Sequence, residues 1–454
     1  MNEQTPLLAL IVVASLLAFR PASAADARII TFDQALRIAL ERNSTLRQAD
    51  VATRASGVAV DQARGQFYPD LALTSRAGQS YGRNFNEAEG RVIDTSTNTV
   101  NLGLSSSVTL FDGFGNTATL REARLSEQAS HLDLQRTRET VVFTVASNFL
   151  LLLQTQEQLR VRRESQAAES ALEQQITSYV NAGARTIADL YQQQANVASA
   201  RLAVVEAERT AQLAEVSLME TLQLDPSGVY QFERLPYDAA AVRDAPALES
   251  MLESAYAQRA DLVAEAERLK ATEQAIRVAK SGRWPTVSLG AGYGTNYTSA
   301  SDFALLDQFD QRRGGSVNLA LTFPLFDRGN ASAAIRRAEL DAENAHISLE
   351  TLHNGVGLDV RRAYLDFLSA REQLSAANAQ MQAAELALKA AQDRYQAGAA
   401  TLVELTQARA TQVEAASAQV TARSNLLFQR TLVDYYTGEL AVPDDETPIP
   451  TASE

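Results

Sequence analysis

Leu110-Phe111-Asp112-Gly113-Phe114-Gly115-Asn116 is echoed by Leu325-Phe326-Asp327-Arg328-Gly329-Asn330, and this pair of segments decides the architecture. Each closes an alternating apolar–polar stretch and opens a long stretch free of proline. The aspartates lie 215 residues apart and the Gly-Asn pairs 214 apart. Three further landmarks keep step. Asn43-Ser44-Thr45-Leu46 matches Arg259-Ala260-Asp261-Leu262, and Phe67-Tyr68-Pro69-Asp70 matches Arg283-Trp284-Pro285-Thr286, both at 216. The turn around Gly183 and Thr186 matches that around Gly398 and Thr401 at 215. Four landmarks in one order mark an internal duplication. The chain divides into repeat 1 (residues 25–224), an equatorial linker containing Pro, Asp and Gly (225–246), repeat 2 (247–437) and an equatorial tail (438–454).

Each copy reads helix, strand, loop, strand, long helix, turn, helix. One unbroken helix is expected over 32–66 and another over 248–282. Val287, Leu289, Ala291 and Tyr293 alternate with Ser288, Gly290 and Gly292. Val317, Leu319, Leu321, Phe323 and Leu325 alternate with Ser316, Asn318, Ala320, Thr322 and Pro324, and 100–110 does likewise. A fourth strand, 70–80, is marked by Leu71 and Leu73. Period-two alternation with a small, polar second face suits strands whose two sides see different solvents. About 10–12 residues is the length of a transmembrane β-strand. The connections 81–98 and 296–314 read as loops on the outer side. The long helices, 116–179 and 330–395, span about 95 Å each. The helix over 186–224 carries a seven-residue seam: Leu190, Val197, Val204, Ala211, Leu218, with Gln193, Ala200, Ala207, Ala214 and Thr221 three further on. Such a repeat implies supercoiled, closely packed helices. By length, 186–224 and 248–282 laid end to end match one long helix. The second copy's missing upper partner is then 32–66, so the two copies are expected to close on each other, with linker and termini at mid-height. Four strands cannot close a barrel, and open edges are not tolerated in lipid. The chain must oligomerise: two copies supply eight strands, three supply twelve.

Composition narrows the function. The 454 residues carry 41 Lys+Arg against 55 Asp+Glu, net −14, which disfavours a nucleic-acid partner. There is no Cys, and the three His, His131, His346 and His353, are scattered. No metal or cofactor site is expected, and nothing brings a nucleophile, a base and an orienting group together. No catalytic residue and no enzyme activity is therefore assigned. The apolar run 6–19 followed by Pro21-Ala22-Ser23-Ala24 reads as a cleaved export signal, 1–24. A competing reading, a periplasmic coiled-coil scaffold outside any membrane, leaves the amphipathic strands without a purpose.

This pattern resembles the TolC family of outer-membrane efflux proteins over essentially the whole mature chain. The residues that carry the likeness are Leu110 to Gly113, the copy Pro324-Leu325-Phe326-Asp327, and the Tyr-x-x-Gly turn Tyr395 to Gly398. The resemblance implies a mostly α protein with a membrane β-barrel portion. It implies a homotrimer, with a 12-stranded barrel in the outer membrane of a Gram-negative bacterium above an α-helical barrel in the periplasm. It implies the duct of a tripartite efflux or type I secretion system. Export is passive, driven by an inner-membrane pump of the RND or ABC type that a periplasmic adaptor joins to the duct. Gly183 and Gly398 read as turn glycines from the residues alone. The likeness adds a tip role, placing Gly183, Ala184, Gly398 and Ala399 against the adaptor. Thr186-x-x-Asp189 and Thr401-x-x-Glu404 read as helix caps. The likeness adds that Asp189 and Glu404 are tip acids of a gate, with Tyr395 hydrogen-bonded to Asp189 as a latch. The family's latch arginine is Ala400 here, so a weaker latch is expected unless Arg185 substitutes from the first copy. Asp112, Gly113, Pro324 and Asp327 read as strand-to-helix junctions, with Asn116 and Asn330 as caps.

Overall fold

The computed structural model describes residues 28–86, 90–233 and 244–442. The expected export signal and the tail beyond 442 lie outside the described residues. In chain order the elements are β1 (Arg28–Ile30), α1 (Phe32–Arg42), α2 (Ser44–Gly65), β2 (Ala72–Asn86), β3 (Arg91–Phe111), α3 (Gly115–Asn181), α4 (Ile187–Thr221) and β4 (Tyr230–Phe232). The second copy follows as α5 (Leu248–Gln258), α6 (Ala260–Ser281), β5 (Thr286–Thr298), α7 (Leu305–Gln311), β6 (Gly314–Thr322), α8 (Asn330–Gln396) and α9 (Leu402–Thr437). Helices α3 and α8 have 67 residues each, a rod of about 100 Å.

The upper helices are broken, contrary to the unbroken helices expected over 32–66 and 248–282. Asn43 has an extended ψ of 125°, and its Oδ1 accepts from the Thr45 and Leu46 N–H groups at 2.9 and 3.2 Å. It ends α1 and caps α2 at once, using the short side chain that competes with helical bonding. The second break falls on Arg259, ψ 116°, whose guanidinium is buried against Asp261. The landmark shared by Asn43 and Arg259 is thus the break itself.

The stacking also differs from expectation. The Asn43 amide donates to the Thr221 carbonyl at the end of α4 (3.4 Å), so α4 is continued upward by α2. Gly438, with φ +77°, lies against the backbone of Gln258 and Arg259, so α9 is continued by α6. Each copy stacks its own short upper helix on its own lower one instead of exchanging it. Length matching cannot separate the two pairings, because α2 and α6 both have 22 residues.

Mid-height holds the core. Ile30, Phe149, Leu218, Leu222 and Phe232 form one buried cluster, with Leu440 and Val442 packed on it. Met251, Val356, Val360, Phe367 and Val433 form its counterpart. A parallel pair, β1 with β4, closes the first cluster and was not foreseen; three-residue strands leave no periodicity to read. Between the two cores Arg136 binds Glu139 at 2.9 Å and approaches Asp261 at 3.8 Å, with its guanidinium over the Tyr435 ring. Burial pushes the Asp261 carboxyl upward, but the bonds from Arg259 and the charge of Arg136 outweigh it and hold it below its ordinary value.

The strands form one antiparallel sheet in the order β2-β3-β5-β6. Residues expected to form the loop 81–98 largely continue the ladder, with Tyr81 opposite Ser96 and Phe85 opposite Val92. The connection 296–314 contains α7, whose Gln308 side chain accepts from the Thr298 N–H and donates to the Phe303 carbonyl. It covers the end of β5 that β6 does not reach. β6 stops at Thr322, short of the expected Leu325, where Pro324 lacks the N–H needed to extend a ladder.

Candidate functional site: membrane sheet, junctions and helical tip

Register sorts the sheet into two faces. One carries Leu73, Leu104, Tyr293, Val108, Leu289, Leu319 and Val317 in cross-strand contact. The other is Gly, Ser, Thr, Asn and Ala almost throughout. The apolar side chains face solvent in the single chain; Leu73 is 77% exposed and Val317 76%. At the helix-proximal end Tyr68, Trp284, Phe114, Phe323 and Phe326 are all exposed. At the far end of the apolar face stand Tyr81, and then Arg83 paired with Asp94. An apolar band closed by aromatic residues, with charges only beyond it, is the profile of a lipid-facing barrel wall. No helix among the described residues is long and apolar enough to cross a membrane.

The junctions pass from strand to helix through two successive left-handed residues: Gly113 and Phe114 in the first copy, Arg328 and Gly329 in the second. The structural offset is therefore 215 across the junction, which corrects the 214 match of the Gly-Asn pairs. Asn116 and Asn330 do not cap. Asp112 accepts from the Asn116 N–H at 2.6 Å, and Asp327 from Gly329 and Ala331 at 2.9 and 2.6 Å. An acid reaching forward satisfies the free N–H groups and the positive helix end together. A Cβ on Gly113 would lie 2.5 Å from the Trp284 Cβ, so the residue is constrained by contact as well as by φ. Trp284, which pins one copy's junction to the other, carried no warning in the sequence beyond being the single Trp.

At the opposite end α3 turns into α4 and α8 into α9 by identical means. Gly183 (φ +73°) and Gly398 (φ +72°) donate to Val180 and Tyr395 carbonyls. Ala184 and Ala399 donate to the Tyr179 and Arg394 carbonyls at 2.8 Å each. This is the Schellman arrangement that ends a helix on glycine. Nothing lies within 4 Å of a Cβ at either glycine, so both turns are bare. Thr186 and Asp189 form a complete capping box, and the Thr401 hydroxyl accepts from the Glu404 N–H. Glu404 also pairs with Arg394 at 3.3 Å.

The expected bond between Tyr395 and Asp189 is not formed. The Tyr395 ring is 2% exposed, packed with Leu172, Ile176 and Leu402, and its hydroxyl has no partner among the described residues. Asp189 spends its carboxylate on the Thr186 hydroxyl (2.9 Å) and N–H. Burial pushes the Tyr395 phenol above its ordinary value; Arg185 lowers it and the nearby Asp189 charge raises it. At the tip the hairpins are linked by Arg185. Its guanidinium lies 4.5 Å from the Tyr395 ring centroid, and its Nη2 donates to the Tyr395 carbonyl at 3.4 Å. Higher up, the buried Glu169 of α3 is held by Gln193 of α4 and by Arg409 of α9 at 3.3 Å. A lone Glu in a charged helix gives no sequence signal for such a contact.

Comparison with known proteins agrees with this geometry. The chain is 26% identical over 378 residues to the pyoverdine export outer membrane protein OpmQ of Pseudomonas putida, covering 82% of this chain and 78% of that one. It is 23% identical over 451 residues to the outer membrane protein TolC of Escherichia coli, covering 96% and 87%. Its fold matches the crystal structure of the outer membrane protein VceC of Vibrio cholerae with a TM-score of 0.75 at 19% identity, over 90% of this chain and 96% of that chain. A sequence model of the family described as outer membrane efflux protein matches residues 35–222 and 251–438, one match per repeat. The chain belongs to the outer membrane efflux protein family.

Proposed function

We propose that three copies of this chain close into a barrel and helical duct that exports solutes across the outer membrane, served by an inner-membrane pump and a periplasmic adaptor. The observation that carries this reading is the two-faced sheet with open edges at β2 and β6. Lipid does not tolerate unpaired strand edges, and a copy on each side pairs both. The helices are incomplete in the same way. Below the equator α4 packs on α3, α3 on α9 and α9 on α8, which leaves α4 and α8 as outer flanks. These flanks expose Leu202, Val205, Leu213 and Val216 on one side and Leu365 and Leu386 on the other. A neighbouring copy buries them by the hydrophobic effect. Relatives named for pyoverdine export and for TolC support export as the purpose of the assembly.

The bare turns at Gly183-Ala184 and Gly398-Ala399 are the surface for the adaptor, since they protrude and carry no side chain larger than methyl. Asp189 and Glu404 line the constriction of the gate, which Arg185 holds through Tyr395. Electrophoresis of unheated, detergent-solubilised protein tests the assembly: a heat-sensitive trimer is expected, and a monomer in the soluble periplasmic fraction overturns the reading.

A further inference from the structure

The small-residue face of the sheet contains one polar row that no hydrogen bond or ion pair within the described residues uses. Arg76 stands opposite Asn101, and Asn101 opposite Asn296, on three adjacent strands. Side chains directly opposite in a sheet lie about 5 Å apart, so a guanidinium and two amides share one shelf. None of the three makes a bond to another side chain or to backbone through its polar atoms. The next row is Thr74, Gly103, Gly294 and Gly314, three glycines that place no side chain beside the shelf. From Thr74 to Gly82, Thr97 to Thr109, Ser288 to Thr298 and Gly314 to Thr322, every other residue on this face is Gly, Ser, Thr, Asn or Ala. No carboxylate is available on that stretch to neutralise Arg76.

We propose that Arg76, Asn101 and Asn296 form an oxyanion site in the bore of the barrel, taking the carboxylate or phosphate groups of solutes in transit. The site rests on the trimeric reading above, which turns this face inward and brings three shelves to one height. Guanidinium presents parallel N–H donors that match both oxyanions, and an amide adds a further donor. A positive ring on a neutral wall flanked by lipid focuses its field into the lumen. This offsets the surplus of acid in a chain of net charge −14, which otherwise repels anions.

Isothermal titration of detergent-solubilised trimers at low ionic strength, about 50 mM, tests the site with sodium tripolyphosphate as the phosphate probe and citrate as the carboxylate probe. Wild-type trimers bind both. Arg76→Gln weakens both by about tenfold, Arg76→Lys keeps part of the affinity, and Asn101→Ala gives a smaller loss. Arg313→Gln removes the same charge from the outer loop and leaves binding unchanged. Wild-type trimers that bind neither probe, or an Arg76→Gln variant that binds like wild type, overturn the site and leave the channel reading standing. Equal losses in Arg76→Gln and Arg313→Gln also overturn it, since general charge then explains the binding. Absence of trimers overturns the channel reading and the site together. All variants are exposed-residue changes, and heat-sensitive trimers on a gel confirm their assembly.

Discussion

Arg185 of the first hairpin and Tyr395 of the second are in direct contact at the tip. The Arg185 guanidinium arrives from the first hairpin and lies on the Tyr395 ring of the second. Such a contact is worth about 0.5–2 kcal/mol, small enough to break when a partner engages. Arg185→Ala should therefore raise single-channel conductance in planar bilayers. Tyr395→Phe should leave conductance unchanged and keep or raise stability by up to about 1 kcal/mol, because it deletes a buried hydroxyl without a partner. Raised conductance in Tyr395→Phe would restore the hydroxyl to the latch. At the junction, Gly113→Ala meets both a left-handed φ and the Trp284 side chain. It should cost about 1–3 kcal/mol, read as a lower trimer dissociation temperature. Gly183→Ala meets only the φ and should cost less. The tip glycines were legible because a turn between two long helices demands them. The role of Gly113 against Trp284 was not, since it depends on a contact 171 residues away (284 minus 113).

Among elements, α4 was read most completely. All ten seam positions named from the seven-residue repeat are buried or half-buried, and Val204, Ala211, Ala214 and Leu218 are fully so. Leu218→Ala opens a cavity in the equatorial core and should cost about 2–5 kcal/mol. Val205→Ala, on the exposed flank, should leave the monomer intact and loosen the trimer, seen as a shift in the monomer–trimer equilibrium. The breaks at Asn43 and Arg259 were invisible because neither Pro nor Gly marks them; a capping Asn and an Arg–Asp pair do the work there. Asp261 gives that break a pH signature. Its folded pKa is lowered, so its stabilising contribution is full above its unfolded value of about 3.9. The contribution is lost as pH falls through the folded value. Melting temperatures of wild type and Asp261→Asn should differ at pH 7 and converge only as pH falls through the lowered folded value.

For the whole molecule, the sheet sets orientation. The long hairpin of β2 and β3 and the α7 connection are expected outside the cell, and both helical turns in the periplasm. A Cys at Asp302 should react with a reagent that cannot cross the outer membrane when added to intact cells. A Cys at Ala184 should not, and its labelling under the same conditions would reverse the orientation.

Periodicity, duplication and turn chemistry are local properties, so the amino-acid sequence by itself determined the two repeats, the strand faces, the two long helices and the glycine turns. Their signals repeat every two, seven or 215 residues and survive without knowledge of neighbours. Tertiary structure alone decided which short helix stacks on which, because α2 and α6 are equal in length and either satisfies the rod. It also decided that Arg185 rather than the Tyr395 hydroxyl joins the hairpins, because Asp189 has a nearer partner in Thr186, three residues away on its own turn. A carboxylate offered a local donor at no cost in chain entropy takes it before a distant one.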